Sequence, residues 1–155
     1  MPAAFRLRRD LDAPVAAPEW PGGFACRTLR PEDAADVHEL LRLAYTEGRG
    51  VADVEVWWTA LSTDKEFDPA LCFLVEDGDG RLAGAALCWT SDFLKDLAVH
   101  PDTRRLGIGE NLLRQVFGVF RDRGACAVDL KVEAHNAKAI RLYERMGMRR
   151  VPFEG

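Results

Sequence analysis

Apolar and polar residues alternate along this chain in two rhythms, and each rhythm predicts a kind of element. Val37, Leu40, Leu41, Ala44 and Tyr45 recur at steps of three and four, as do Leu112, Leu113, Val116, Phe117 and Phe120. That spacing puts each set on one face of a helix. Pro31, Glu32 and Asp33 open the first helix, because proline suits a first helical position and acids suit the positive end of the dipole. Gly48 and Gly50 end it. The second stripe predicts a helix over 110–123, closed by Gly124. Two more helices are predicted, one over 54–61 carrying Trp57 and Trp58, the other capped by Asn136 and running to Met146 before Gly147.

Between the helices lie shorter apolar runs. Leu71–Glu76 and Leu82–Thr90 flank Asp77-Gly78-Asp79-Gly80, a strong hairpin signal. Phe93–Val99 follows as a third strand, stopped by His100-Pro101-Asp102. Residues 24–29, 125–132 and 148–153 read as further strands, and 64–68 as a polar loop. Phe5–Arg9 reads as a short edge strand in an arm otherwise broken by Pro14, Pro18, Pro21, Gly22 and Gly23. Trp20 is expected to dock this arm on the domain surface. The predicted organisation is an N-terminal arm over 1–23 and one mixed α/β domain over 24–155. Its element order is β, β, α, α, β, β, β, α, β, α, β, without repeat or linker.

Composition narrows the function. A chain of 155 residues that is 48% hydrophobic and 30% charged can bury a sizeable core. The net charge of -4 gives no electrostatic support to nucleic-acid binding. No apolar run reaches the roughly 18 residues of a membrane helix, and residues 1–9 lack the apolar stretch of a secretory signal. Cys26, Cys72, Cys88 and Cys126 lie far apart in apolar segments. They are expected to be reduced core thiols of a cytoplasmic protein that holds no metal.

The chemistry points to Arg104-Arg105-Leu106-Gly107-Ile108-Gly109. These residues join a strand to a helix. Two glycines there allow a tight turn and close approach of a ligand, and the first N–H groups of the helix point outward at its positive end. The natural guest is a phosphate or pyrophosphate. No Gly-Lys-Ser/Thr follows, as a P-loop requires. The segment follows a hairpin meander and lacks GxGxxG spacing, which argues against a dinucleotide fold.

This segment matches [Arg/Gln]-x-x-Gly-x-[Gly/Ala], the pyrophosphate motif of the GNAT acyl-CoA-dependent N-acetyltransferases. The preceding strand, Leu94 to Pro101, resembles the family's cofactor-binding strand. Asn136-Ala137-Lys138-Ala139-Ile140-Arg141-Leu142-Tyr143-Glu144-Arg145-Met146-Gly147-Met148 resembles its later Asn…Tyr-Glu-Arg-x-Gly-Phe signature, with Met148 where phenylalanine is usual. Over about residues 24–153 the chain thus resembles this family. The resemblance implies a central mixed sheet of six to seven strands flanked by four helices. Strands 93–99 and 126–132 would splay apart to admit the pantetheine arm of acetyl-CoA.

By the same resemblance, Leu97, Ala98 and Val99 offer main-chain groups to pantetheine. Arg104, Arg105, Leu106, Gly107, Ile108 and Gly109 hold the diphosphate. Asn136, Ala139 and Tyr143 complete the cofactor site. Tyr143 is the implied general acid for the leaving thiolate. Asp96 is the candidate base, with Glu133 as the alternative; His100 and His135 read as turn residues. Tyr45, Trp57, Trp58 and Trp89 are candidate walls of an acceptor pocket or simply core. The implied reaction is direct transfer of an acetyl group from acetyl-CoA to a primary amine on a small molecule or protein. A non-catalytic acyl-CoA-binding module is the competing reading. A homodimer is compatible with exposed strand edges and the arm.

Overall fold

The computed structural model describes residues 2–45 and 51–153. The expected helix ends at Gly48 and Gly50 lie outside the described residues. Strands β1 (Ala4–Asp10), β2 (Ala25–Thr28), β3 (Phe67–Glu76), β4 (Leu82–Trp89), β5 (Phe93–Val99), β6 (Ala127–Glu133) and β7 (Arg149–Val151) form one mixed sheet in the order β2-β3-β4-β5-β6-β1-β7. Helices α1 (Ala34–Ala44), α2 (Val54–Ser62), α3 (Ile108–Asp122) and α4 (Ala137–Arg145) flank it. Among the described residues the one parallel pair is β5 with β6, and α3 makes that crossover. Sequence order and element types therefore match the expected mixed α/β fold.

Two cores sit on the two faces of the sheet. On one, Ile108, Leu112, Leu113, Val116, Phe117 and Phe120 of α3 pack on Phe73, Val75, Ala86, Leu94 and Leu130. On the other, Val37, Leu40 and Leu41 of α1 and Trp57 and Leu61 of α2 pack on Cys72, Leu74, Ala85, Leu87 and Ala98. The sheet centre is thus apolar on both sides, which is why β3 and β4 read as continuous apolar runs and not as alternating ones. Gly84 lets α3 sit close. A Cβ there would meet Ile108 Cγ2 at 2.7 Å, Leu112 Cδ1 at 3.0 Å and the Ala98 carbonyl at 3.2 Å.

Four sequence expectations are corrected. Residues 5–9 are no edge strand: β1 runs antiparallel to β6 on one side and β7 on the other. Leu7 is fully buried, while Arg6 and Arg8 grip Asp129 of β6 at 2.7–2.9 Å. That pairing bridges more than 120 residues, so local pattern cannot reveal it. The polar reading of 64–68 stops too late, because β3 begins at Phe67, whose ring packs edge-on against Trp58. The last strand is shorter than 148–153, pairing only over 149–151. Cys72 and Cys88 are buried thiols and Cys26 half-buried, whereas Cys126 is exposed, because it precedes β6 on the surface. Trp20 does dock, against the α3-side core.

Candidate acyl-CoA site

β5 and β6 pair only through Phe93–Asp129 and Leu94–Leu130. Beyond those residues the two strands diverge, leaving the C-terminal half of β5 without a partner on that side. Unpaired main-chain N–H and C=O groups on such an edge are strong hydrogen-bonding groups that accept an extended, amide-bearing guest. Leu97, Ala98 and Val99 lie on this stretch. Leu97 and Val99 face the α3 side and Ala98 the α1 side, the alternation a strand requires.

A bulge sets what β5 presents upstream of that gap. Leu87 pairs with Asp96 but Cys88 with Leu94, so Lys95 is an extra residue on β5. The insertion moves Leu94 to the α3 face and Asp96 to the α1 face. There Tyr45, just past α1, donates its hydroxyl to Asp96 Oδ1 at 2.7 Å. Lys95 Nζ donates to Asp96 Oδ2 at 2.7 Å. These groups open on a cleft of about 210 Å³ also lined by Leu41, Val51 and Trp57. Of the four aromatics that the sequence offered as pocket wall or core, Tyr45 and Trp57 line this cleft, Trp57 also being part of the core, while Trp58 and Trp89 pack against that core. Lys95 escaped sequence reading, because a one-residue bulge leaves no mark in apolar spacing.

Tyr143 of α4 is partly buried beside the α3-side core. Burial pushes its phenol up to about 12, and the negative charge of Asp96 adds to the rise. The two residues thus feel each other although they come from different elements. Asn136 caps α4, its Oδ1 accepting from the Ala139 N–H at 3.2 Å, so the helix-cap role is realised. Glu133 ends β6 with His135 Nδ1 3.4 Å from its carboxylate, and His100 Nδ1 accepts from the Asp102 N–H at 3.0 Å. Both histidines serve turns.

The glycine loop has the shape its sequence predicts. Arg104, Arg105 and Leu106 are exposed. Arg105 (φ 71) and Gly107 (φ 80) both take left-handed backbone, and Gly107 is the N-cap of α3. Gly109 is buried, and a Cβ there would point at Val99 Cγ2 (3.4 Å) and Leu142 Cδ2 (3.6 Å), inward between β5 and α4. The first N–H groups of α3 have no carbonyl one turn earlier and face out of the loop. Asn111, one turn into α3, was not singled out by sequence; among the buried residues it is one of three polar or charged ones. Among the described residues no group of three or more histidines, cysteines or carboxylates is arranged to hold a metal. No described helix is long and apolar enough to cross a membrane.

A sheet that splits beside a helix-start loop, with α4 flanking it, is the architecture implied by the resemblance to the acyl-CoA-dependent N-acetyltransferases. The acetyltransferase (GNAT) family model matches residues 34–148, and the chain belongs to that family. It is 36% identical over 160 residues to the mycothiol acetyltransferase of Thermomonospora curvata, covering 94% of this chain and 51% of that protein. It is 29% identical to a candidate ribosomal protein bS18-alanine N-acetyltransferase of Bacillus subtilis, covering 80% of each. The GCN5-related N-acetyltransferase of Sphaerobacter thermophilus superposes with a TM-score of 0.83 at 33% identity, over 96% of this chain and 48% of that one. The chain thus spans about half the length of the mycothiol acetyltransferases it matches.

Proposed function

We propose that this protein transfers an acetyl group from acetyl-CoA to a primary amine by direct attack in a ternary complex. The observation that carries this reading is the divergence of β5 from β6 after two residue pairs, with the glycine loop and Tyr143 flanking the gap. Main-chain groups of Leu97, Ala98 and Val99 would bind pantetheine as an added strand. N–H groups of residues 105–109 would hold the diphosphate, with Arg104 and Arg105 adding mobile positive charge. Asn136 and Ala139 at the start of α4 would border the pantetheine.

The reaction needs a neutral amine, a polarised carbonyl and a proton for sulfur. Holding amine and thioester together supplies much of the rate, and a backbone N–H near Leu97 or Ala98 would polarise the carbonyl. As the amine nitrogen bonds to the acetyl carbon and the carbon–sulfur bond breaks, one amine proton must leave nitrogen and one must reach sulfur. Tyr143 stays protonated through neutral pH. It therefore has a hydrogen to give the developing thiolate. Asp96 is our proposed first acceptor of the amine proton, through water, and passing that proton on to Tyr143 restores the phenol and leaves both residues as they began. Both of its oxygens already accept one bond, which positions it firmly.

The cleft beside Asp96 has room for a small amine or the end of a peptide chain. A cytoplasmic location and pairing with a second copy are part of the proposal. The test is thiol release from acetyl-CoA across an amine panel. Turnover that Tyr143→Phe depresses supports transfer. Coenzyme A binding without turnover on any amine would favour the non-catalytic module.

A further inference from the structure

Asn111 is 5% exposed in α3, and its amide makes every hydrogen bond it can. Nδ2 donates to the Gly107 carbonyl at 3.0 Å and to the Glu19 carbonyl at 2.9 Å. Oδ1 accepts from the Glu19 N–H at 2.8 Å and from Arg114 Nη1 at 2.9 Å. One side chain thus pairs with residue 19 as a neighbouring strand would, and with the cap of α3 at the same time. Val15 and Trp20 on either side of Glu19 pack against the core, so the arm is pinned across the helix start.

The Gly107 carbonyl accepts twice from residue 111, from its side chain and from its main-chain N–H at 3.0 Å. The peptide joining Gly107 to Ile108 is planar and trans, so its C=O and N–H point in opposite directions. Drawing the carbonyl down into α3 therefore turns the Ile108 N–H up toward the loop's mouth. Gly107 stands at φ 80, where the backbone is free to rotate away if that carbonyl is released.

We propose that Asn111 is a positioning residue for the diphosphate of the acyl donor, and that through it the N-terminal arm around Glu19 is a working part of the cofactor site. The proposal rests on the loop binding a diphosphate. Its test compares two ligands on two variants. Coenzyme A carries the diphosphate; pantetheine is the same arm without it. Asn111→Leu removes the amide, and Glu19→Pro removes the arm's N–H together with the Glu19 side chain and fixes its φ, while every residue of α3 is kept. Dissociation constants are measured by calorimetry for coenzyme A and by NMR titration for pantetheine. Each variant is expected to weaken coenzyme A about fivefold, the worth of one hydrogen bond to the diphosphate once the Ile108 N–H is no longer held toward it, and to leave pantetheine unchanged. Coenzyme A bound by Glu19→Pro as by wild type would overturn the arm's role, and equal weakening of both ligands would overturn the positioning role. Wild-type protein that binds no coenzyme A would instead overturn the loop reading, before any variant is made.

Discussion

Gly107 and Gly109 stand two residues apart in the same loop, yet replacing each by alanine should have opposite results. Gly107 sits at φ 80, and a left-handed conformation costs a residue with a Cβ about 1–2 kcal/mol. Space is not the obstacle, since a Cβ there would lie 3.5 Å from Asn111 Nδ2, an ordinary contact. Restricting the unfolded chain returns about 0.4–1 kcal/mol. The net loss for Gly107→Ala is therefore about 1 kcal/mol. If the loop keeps its shape, the melting temperature falls by about 2–4 °C for a chain of this size. If the loop relaxes, coenzyme A binds about fivefold more weakly. Gly109 has no positive φ, and its Cβ would point inward against Val99 and Leu142 at 3.4 and 3.6 Å, away from any ligand. Gly109→Ala should keep affinity within twofold and gain up to about 1 kcal/mol of helix propensity. Calorimetry with coenzyme A and thermal melts of both variants decide this. Equal damage from both, or none from Gly107→Ala, would refute the assignment of the turn to Gly107 and of close packing to Gly109.

Other outcomes follow from the same geometry. Tyr143→Phe should lower turnover tenfold or more while leaving coenzyme A affinity nearly intact, read by thiol release beside calorimetry; full activity at every pH would remove Tyr143 as the acid. Burial holds the Tyr143 proton to about pH 12, whereas an unfolded tyrosine releases it near 10. The unfolded state therefore binds fewer protons in that window, and stability must fall as pH rises from about 10 toward 12; Tyr143→Phe should flatten this part of a pH–denaturation profile. Gly84→Ala places a methyl 2.7 Å from Ile108 Cγ2 and should cost about 1–3 kcal/mol in chemical denaturation. Asp129→Asn should destabilise the fold by about 2 kcal/mol, the worth of a hydrogen bond to a charged group, because the half-buried Arg6 and Arg8 lose a carboxylate at the point where β5 and β6 part.

How far the sequence foretells this protein depends on the range of the interactions. The α3 stripe, the Asp-Gly hairpin and the Asn136 cap are local, and each element stands where its residues place it. The glycine loop is legible for the same reason, since a left-handed turn before a helix start is encoded in a few residues. What escapes depends on distant partners. Leu7 and Arg8 read as part of a short edge strand until β6 and β7 are seen to pair with it on both sides. Lys95 becomes part of the site only through a bulge, a property of strand pairing. Asn111 gains its meaning from Glu19, 92 residues away. Gly84 carries no turn signal at all, because its reason is the helix packed above it.

The central claim is that the gap between β5 and β6, with the loop beside it, is an acyl-CoA site. Calorimetric titration of the protein with acetyl-CoA and with free coenzyme A tests it most directly. One-to-one binding of both is expected, lost in Gly107→Trp. A protein that stays folded and binds neither would contradict it.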